Sequence, residues 1–146
     1  MRLVIQRVKK ASVQVQNKVI AAIGEGALVL LGIEQSDTQD KALYLLDRFV
    51  NLRFFADTEG KMNHSILDKQ HSALVVSQFT LYADCKSGRR PSFTGAAAPS
   101  LAKNLYEFFT QELKKKGIHT QTGEFGAHMQ VELTNDGPVT LIIDSL

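Results

Sequence analysis

IGEGALVLLGI, residues 23–33, is the stretch of sequence that decides the fold. Its second half, Ala27–Leu31, is an unbroken apolar run, and it follows a turn made by Gly24, Glu25 and Gly26. A continuous apolar run that is bounded by turn residues is typical of a strand with both faces covered. We therefore expect a central sheet strand at Ala27–Leu31.

Further strands are predicted on the N-terminal side of this run. Residues 2–8 and 12–16 are expected to be strands, and in the second of them valine alternates with polar residues, as in a half-buried sheet. The sequence QNKV at 16–19 indicates a hairpin turn, and another strand is expected near 19–23.

On the C-terminal side the hydrophobic period changes to that of helices. The apolar residues that share one face of the first predicted helix are Ala42, Leu45, Leu46, Phe49 and Val50. Ser36 or Asp37 is the expected N-cap of this helix. A second amphipathic helix has Pro99 near its first turn and ends at Gly117. Its predicted buried stripe is Leu101, Leu105, Phe108, Phe109 and Leu113.

The remaining segments complete a predicted sheet. A strand is expected over Leu74–Leu81, a loop over 82–97, and closing strands near 118–122, 128–133 and 139–144. About eight strands and two helices fit one domain over residues 1–146. We therefore predict an α/β protein of the α+β type, with a layered β/β/α arrangement, a largely antiparallel sheet and both helices packed on one face.

Composition restricts the possible partners. A net charge of +2 and a pI near 8.7 are compatible with an RNA partner but are far from the charge of a histone-like protein. The single cysteine, Cys85, excludes an internal disulfide framework and indicates a reducing compartment. No apolar run approaches the ~18 residues of a membrane span. We therefore expect a cytoplasmic protein without a membrane partner.

Metal and phosphate-loop motifs are absent from the sequence. The four histidines, His64, His71, His119 and His128, have no metal-ligand spacing with one another or with Cys85. No P-loop, nucleophile elbow or dinucleotide fingerprint occurs either. We predict neither a metal site nor a phosphate loop.

The first candidate site is SQFTLYAD, residues 77–84. Ser77, Gln78 and Thr80 place hydrogen-bonding side chains at the end of an apolar strand, where clefts tend to form. Strand alternation predicts that Gln78 and Thr80 share one face, and that Ser77 and Phe79 share the other. A strand end without function has the same pattern, so both interpretations stay open. A serine or threonine hydrolase requires an activating base, and none is evident nearby in the sequence.

The second candidate site is Gly137-Pro138, at the head of the apolar segment 139–144. Proline donates no hydrogen bond to a sheet ladder, so three interpretations compete. Pro138 occupies the first position of an edge strand, forms a trans turn with Asn135 and Asp136, or follows a cis peptide bond. A cis bond directs successive carbonyls to the same side. Two acceptors in such a rigid arrangement can discriminate between ligands of different shape.

With both segments in view, the sequence closely resembles the D-aminoacyl-tRNA deacylase family, also called D-tyrosyl-tRNA deacylase. The resemblance covers nearly the whole chain. It rests on two signatures, SQFT at 77–80 and GPVT at 137–140, together with blocks such as RVKKASVQV, NLRFF, GRRPSF and TGEFGAHMQV in the expected order.

This resemblance implies a homodimer whose two active sites lie at the subunit interface. The Gly137-cis-Pro138 element of one subunit is expected to enter the pocket of the other and to reject L-aminoacyl groups by clash, with Arg7 holding its orientation. Achiral glycine escapes such a filter, so mischarged glycyl-tRNA(Ala) is an expected second substrate. Phe125 and Met129 are expected to hold the 3′-terminal adenine.

The implied reaction is hydrolysis of the D-aminoacyl ester of tRNA, without a metal or an organic cofactor. Catalytic roles fall on Ser77, Gln78, Phe79 and Thr80, with the Phe79 N–H as an oxyanion donor. Two mechanisms stay open: water attack assisted by the tRNA 2′-hydroxyl, which we favour, and attack by Thr80 through an acyl-enzyme. A module that only binds RNA ends or D-amino acids is the rival function.

Contacts with RNA phosphates are a further expectation. They would be made by the basic residues of the loop that follows the SQFTLYAD segment: Lys86, Arg89 and Arg90.

Overall fold

The computed structural model describes residues 1–86 and 88–146, and within these ranges the chain forms eight strands, three α-helices and one 3₁₀-helix. The strands are β1 (Arg2–Val15), β2 (Lys18–Ile23), β3 (Gly26–Gly32), β4 (Phe55–Ala56), β5 (Met62–His64), β6 (Ser72–Ser77), β7 (Thr120–Thr122) and β8 (Gln130–Asp144). The helices are α1 (Gln39–Asn51), α2 (Ile66–Lys69) and α3 (Pro99–Lys115), and the 3₁₀-helix spans Phe79–Tyr82. The predicted loop 82–97 contains Ser87, which lies outside the described residues.

The main sheet is mixed, so the prediction of a largely antiparallel sheet is confirmed only in part. Its strand order is β2-β1-β3-β6-β7, and β8 also pairs with β1. β1 is antiparallel to β2, β3 and β8, whereas β3–β6 and β6–β7 are parallel. The parallel pairs arise because α1 lies between β3 and β6, and α3 between β6 and β7. A helical crossover returns the chain to the same end of the sheet, so the next strand runs in the same direction.

The prediction of a central strand over Ala27–Leu31 is confirmed, and both faces of β3 are covered. Ala27, Val29 and Leu31 are buried in a core with residues of α1 and α3, so these two helices cover the same face of the sheet. Leu28 is buried on the opposite face. The partners of Leu28 come from the second half of β1, from β2 and from β6, because the sheet curls over this face into a near-barrel.

Two pairs of predicted strands are each one long strand. β1 is continuous from Arg2 to Val15, and β8 is continuous from Gln130 to Asp144. The two strands pair antiparallel along most of their length, with register shifts between Gln6 and Val8 and between Val8 and Lys10. Gly137-Pro138 therefore lies inside β8, opposite an irregular part of β1, and not at the head of a separate strand.

The start of α1 differs from the prediction. Its N-cap is Thr38, whose Oγ1 accepts a hydrogen bond from the Lys41 N–H at 3.4 Å. The Asp37 carboxylate is buried and accepts hydrogen bonds from the Met1 α-amino group at 2.5 Å and from the Glu34 N–H at 2.8 Å, so it is not free to cap the helix.

The ends of α3 agree with the prediction. The helix begins at Pro99, and Gly117 adopts a φ of +83° just beyond its last turn, where a side chain is disfavoured. Across the described residues, no helix combines the length and the apolar character that a membrane crossing requires.

Candidate active site

The chain changes direction at the SQFT segment, so the predicted alternation of its side chains is wrong. β6 ends at Ser77, and the Gln78 N–H still donates to the Leu31 carbonyl at 2.9 Å. Gln78 then has φ −142° and ψ 79°, and residues Phe79–Tyr82 form a 3₁₀-helix.

A glycine lets this 3₁₀-helix pack against the end of β3. A Cβ added to Gly32 would lie 3.0 Å from the Leu81 Cβ and 3.3 Å from the Gln78 carbonyl oxygen. Any side chain at position 32 would therefore push the SQFT segment outward. Sequence reasoning did not identify Gly32 as part of the site.

A cavity of about 540 Å³ opens beside the SQFT segment. Among the predicted site residues, those that line it are Ser77, Gln78, Phe79, Phe125 and Met129. The other walls are mostly small or apolar side chains, including Ala96, Ala97 and Val131. The two groups that the sequence predicts to bind the ester and the adenine thus face one cavity.

Thr80 is exposed and is not among the described residues that line the cavity. Its Oγ1 accepts a hydrogen bond from the Gln78 side-chain amide. Within residues 1–86 and 88–146, no histidine, lysine or carboxylate is hydrogen-bonded to this hydroxyl. The hydroxyl therefore lacks the base that would activate a nucleophile.

Tyr106 supports the opposite wall of the cavity, and sequence reasoning missed it. Its ring lies 5.9 Å from the Phe125 ring, and its hydroxyl donates to the Val75 carbonyl of β6 at 2.8 Å. Burial raises the pKa of Tyr106 to about 12, so the hydroxyl keeps its proton at neutral pH. Its position beside Leu105 in the apolar stripe of α3 was the available signal.

Gly123 makes room for Met129. A Cβ on Gly123 would lie only 2.7 Å from the Met129 Sδ. The Gly123 N–H donates to the Val75 carbonyl at 3.0 Å, so this carbonyl accepts from both Gly123 and Tyr106. One carbonyl of β6 thus bonds both α3 and the segment that leads to Phe125 and Met129.

Within β8, where its pairing with β1 is irregular, Gly137 and Pro138 form an exposed bend that we call the Gly137-Pro138 turn. Hydrogen bonds hold the residues on both sides of it. The peptide bond between them is cis. The Asn135 Oδ1 accepts from the Val139 N–H at 2.7 Å, which closes the turn on one side. Arg7 holds the other side, since its Nε donates to the Asp136 carbonyl at 2.8 Å.

The turn requires glycine at position 137. Gly137 has a φ of +149°, and a Cβ there would lie 2.7 Å from both the Val139 N and Cγ2 atoms. The same Cβ would approach the Arg7 Nη2 to 3.4 Å. A larger residue would therefore displace the turn.

The structure separates the second group of predicted site residues from the first. Arg7, Gly137 and Pro138 are not among the described residues that line the cavity. Arg7 also donates to the Phe54 carbonyl at 2.7 Å, and it borders a smaller charged cleft of about 270 Å³. Within one chain, the turn and the cavity are two distinct places.

No group of three or more histidine, cysteine or acidic side chains within residues 1–86 and 88–146 is arranged to hold a metal ion. The three basic residues of the predicted phosphate-binding loop, Lys86, Arg89 and Arg90, are exposed, and Lys86 borders a second cleft that Arg2 and Tyr82 also line.

Comparison with known proteins identifies the family. The family model described as D-Tyr-tRNA(Tyr) deacylase matches residues 4–144. A D-aminoacyl-tRNA deacylase of Fervidobacterium nodosum is 55% identical over 145 residues, 99% of this chain and 97% of the relative. One from Bacillus thuringiensis is 52% identical over 145 residues, 99% of each chain.

Solved structures share the fold. One described as c-Myc DNA Unwinding Element Binding Protein superposes with a TM-score of 0.93 at 42% identity, over 100% of this chain and 99% of the other. One described as a probable eukaryotic D-amino acid tRNA deacylase gives 0.86 at 17% identity over 98% of each chain, and at that identity it shows the fold alone. With the family model matching almost its full length, this chain belongs to the D-Tyr-tRNA(Tyr) deacylase family.

Proposed function

We propose that this protein hydrolyses the ester bond of D-aminoacyl-tRNA and releases the free D-amino acid and the tRNA, with residues 1–146 acting as one unit. The observation that carries this proposal is the cavity that brings the SQFT segment and the pair Phe125 and Met129 together. Its volume of about 540 Å³ is in the range of small-molecule sites. The relatives named D-aminoacyl-tRNA deacylase supply the substrate class.

The 3′-terminal adenosine is assigned to the wall that contains Phe125 and Met129. An aromatic face stacks on a base, and a thioether adapts to the edge of the ring. The ester then lies against Ser77, Gln78 and Phe79 on the other wall. The first N–H groups of a helix have no partner within that helix, so the Phe79 N–H is available to an oxyanion.

Water is assigned as the nucleophile, with the ribose 2′-hydroxyl of the tRNA assisting. Two features of the site support this choice over attack by Thr80. The Thr80 hydroxyl is bonded to the amide of Gln78, which is not a base, and the side chain lies outside the cavity lining. An aminoacyl ester is already reactive, so positioning and oxyanion stabilisation supply the needed acceleration.

Chiral selection is assigned to the Gly137-Pro138 turn of a second copy of the chain. The turn is exposed, held by Arg7 and Asn135, and separate from the cavity of its own chain. These properties suit an element that completes a partner's site in a homodimer. Its carbonyls hold the amino group of a D-aminoacyl ester, whereas the side chain of an L-aminoacyl ester clashes with the turn.

Two consequences follow for substrate and compartment. Glycine has no side chain to clash, so glycyl-tRNA(Ala) is a second substrate in this scheme.

We assign the protein to the cytoplasm, where charged tRNA is used and where the exposed Cys85 stays reduced.

The test measures the release of D-tyrosine and L-tyrosine from tyrosyl-tRNA by catalytic amounts of the purified protein. We expect rapid release of D-tyrosine and an intact L-tyrosyl-tRNA. Equal hydrolysis of both would remove the chiral role of the turn but leave an esterase. Binding of both without turnover would instead support a module that only recognises RNA ends or amino acids.

A further inference from the structure

A basic hairpin projects beside the cavity, and the proposed reaction makes no use of it. Asp84 and Ser92 form its base, since the Asp84 N–H donates to the Ser92 carbonyl at 2.7 Å and the Ser92 N–H donates back at 2.9 Å. Three cationic residues lie between the two: Lys86, Arg89 and Arg90. We call the described residues of this segment, 84–86 and 88–92, the basic hairpin.

Both flanks of the basic hairpin are held by contacts within the fold. On one side, the Ala83 N–H donates to the Thr80 carbonyl at 3.1 Å at the end of the 3₁₀-helix, directly after the SQFT segment. On the other side, Phe93 lines the cavity and packs edge-on against Phe79 with ring centroids 5.1 Å apart. The Gln35 side-chain amide also donates to the Thr94 carbonyl at 2.6 Å. The C-terminal flank of the hairpin is therefore part of the cavity lining, through Phe93.

The cations of the basic hairpin are exposed and available to an anion. In the described part of the chain, neither Lys86, Arg89 nor Arg90 lies within 4.0 Å of a carboxylate oxygen, whereas Lys9 is paired with Glu25 at 2.8 Å. Asp84 is the acid at the base of the hairpin, and one of its carboxylate oxygens accepts from the Lys86 N–H at 2.9 Å. The described residues of the hairpin thus concentrate positive charge locally.

Two exposed aromatic rings lie next to the basic hairpin: Phe93, which directly follows Ser92, and Phe79, which packs against Phe93. Phe79 is 54% exposed and Phe93 is 39% exposed, although both are large apolar residues. Surfaces that bind single-stranded nucleic acid combine cations for the phosphates with aromatic faces on which bases stack. The Phe79–Phe93 pair and the basic hairpin supply both elements next to one cavity.

We propose that the basic hairpin, together with Phe79 and Phe93, binds the single-stranded nucleotides that precede the terminal adenosine of the tRNA. This inference rests on the proposed function, which places that adenosine between Phe125 and Met129. The RNA strand must leave the cavity to reach the rest of the tRNA, and a path past Phe93 leads it onto the hairpin. The cations then contact phosphates and add affinity that does not depend on the amino acid.

The test compares two triple variants on two substrates. In one variant the hairpin cations are removed, K86A/R89A/R90A, and the matched control K18A/R48A/K61A removes three exposed cations that lie on other elements. The substrates are D-tyrosyl-tRNA and the D-tyrosyl 3′-ester of adenosine, which has no phosphate. We expect the hairpin variant to lose ~10-fold or more in kcat/KM on the tRNA at low salt. It should match the wild type on the adenosine ester.

The salt dependence of binding to uncharged tRNA gives a readout that does not depend on catalysis. Three lost contacts to a single strand should reduce the slope of log K against log salt by about 2, and the control variant should keep the slope. An unchanged slope, or an equal loss of activity on both substrates, would overturn the inference. A wild-type protein that hydrolyses neither substrate while keeping the hairpin-dependent slope would refute the proposed function and support the RNA surface alone.

Discussion

At the scale of single residues, Thr80 distinguishes the two mechanisms. Its hydroxyl is bonded to Gln78 and lies outside the cavity lining, so we expect Thr80→Ala to lower kcat on D-tyrosyl-tRNA by less than ~10-fold. Loss of a true nucleophile costs on the order of 10⁶-fold in a serine protease. Single-turnover kinetics on D-tyrosyl-tRNA with a normal or a 2′-deoxy terminal adenosine provide the measurement. An inactive Thr80→Ala protein together with a trapped acyl-enzyme in the wild type would contradict this mechanism.

Gly137 tests the chiral role of the turn. A Cβ at this position meets the Val139 backbone nitrogen at 2.7 Å, so Gly137→Ala should displace the turn and reduce the preference for D- over L-tyrosyl-tRNA by ~10-fold or more. Gly60→Ala is the matched control, because Gly60 also has a positive φ, +81°, but no atom lies within 4 Å of its added Cβ. An unchanged D-to-L ratio in Gly137→Ala would exclude the turn from substrate selection.

At the scale of elements, the Tyr106 hydroxyl joins α3 to β6. Tyr106→Phe removes a buried hydrogen bond but leaves the Val75 carbonyl with its bond from Gly123. We therefore expect a loss of only about 1 kcal/mol in the free energy of unfolding, measured by urea denaturation. KM and kcat for D-tyrosyl-tRNA should each stay within about twofold, because phenylalanine keeps the ring that packs against Phe125.

The matched control for this prediction is Tyr44→Phe on the exposed side of α1. Tyr44 is 37% exposed, and no hydrogen bond of its hydroxyl occurs among the described residues. The control should change neither the unfolding free energy nor KM. A several-fold rise in KM for Tyr106→Phe would contradict this expectation and would show that the hydroxyl, and not only the ring, holds Phe125 in place.

His71, which follows α2, makes stability depend on pH. Burial lowers the pKa of His71 below 6.5, an effect that outweighs the opposing attraction of Glu25, and nearby Lys69 and Lys9 add to the lowering. In the unfolded chain the histidine binds its proton at a higher pH than in the folded chain. Folding stability is therefore highest above pH 6.5 and falls as the pH drops towards the lowered pKa. His71→Gln should flatten the unfolding free energy between pH 7 and 5, and an unaltered pH profile would contradict this assignment.

The elements that the sequence predicted well are those with a strong local pattern. The unbroken apolar run at Ala27–Leu31 indicated a strand that is buried on both faces. The helical spacing of the apolar residues in α1 indicated a helix with one buried face, and both are observed. Thr80 was predicted to lie in a strand, because the sequence shows no break in the strand pattern after Ser77. In the structure the chain changes direction at Gln78, and Thr80 lies in the 3₁₀-helix. That turn depends on contact with Gly32, and a contact between distant residues leaves no local pattern.

At the scale of the whole molecule, the direction of the strands was the feature least accessible from sequence. The pairing of β3 with β6 depends on how the chain between them returns to the sheet, and not on the residues of either strand. The two groups of candidate residues were found from their motifs, but their separation within one chain was visible only in three dimensions.

That separation leads to the last prediction, a complementation between subunits. If each site combines the cavity of one chain with the turn of its partner, a cavity variant, Q78A/F125A, and a turn variant, G137A/P138A, should each lose ~10-fold or more in kcat/KM on D-tyrosyl-tRNA. A heterodimer of the two variants contains one site with both defects and one site that is intact. Because random mixing makes half of the dimers heterodimers, the refolded mixture should recover about a quarter of wild-type activity.

The controls for complementation are each variant refolded alone and the two variants mixed without refolding. A mixture that recovers no activity, while native mass spectrometry shows that heterodimers have formed, would place the turn in the site of its own chain. Recovery to about a quarter, with D-tyrosyl-tRNA still preferred over L-tyrosyl-tRNA, is expected only when the exposed turn beside Arg7 completes the cavity of another copy.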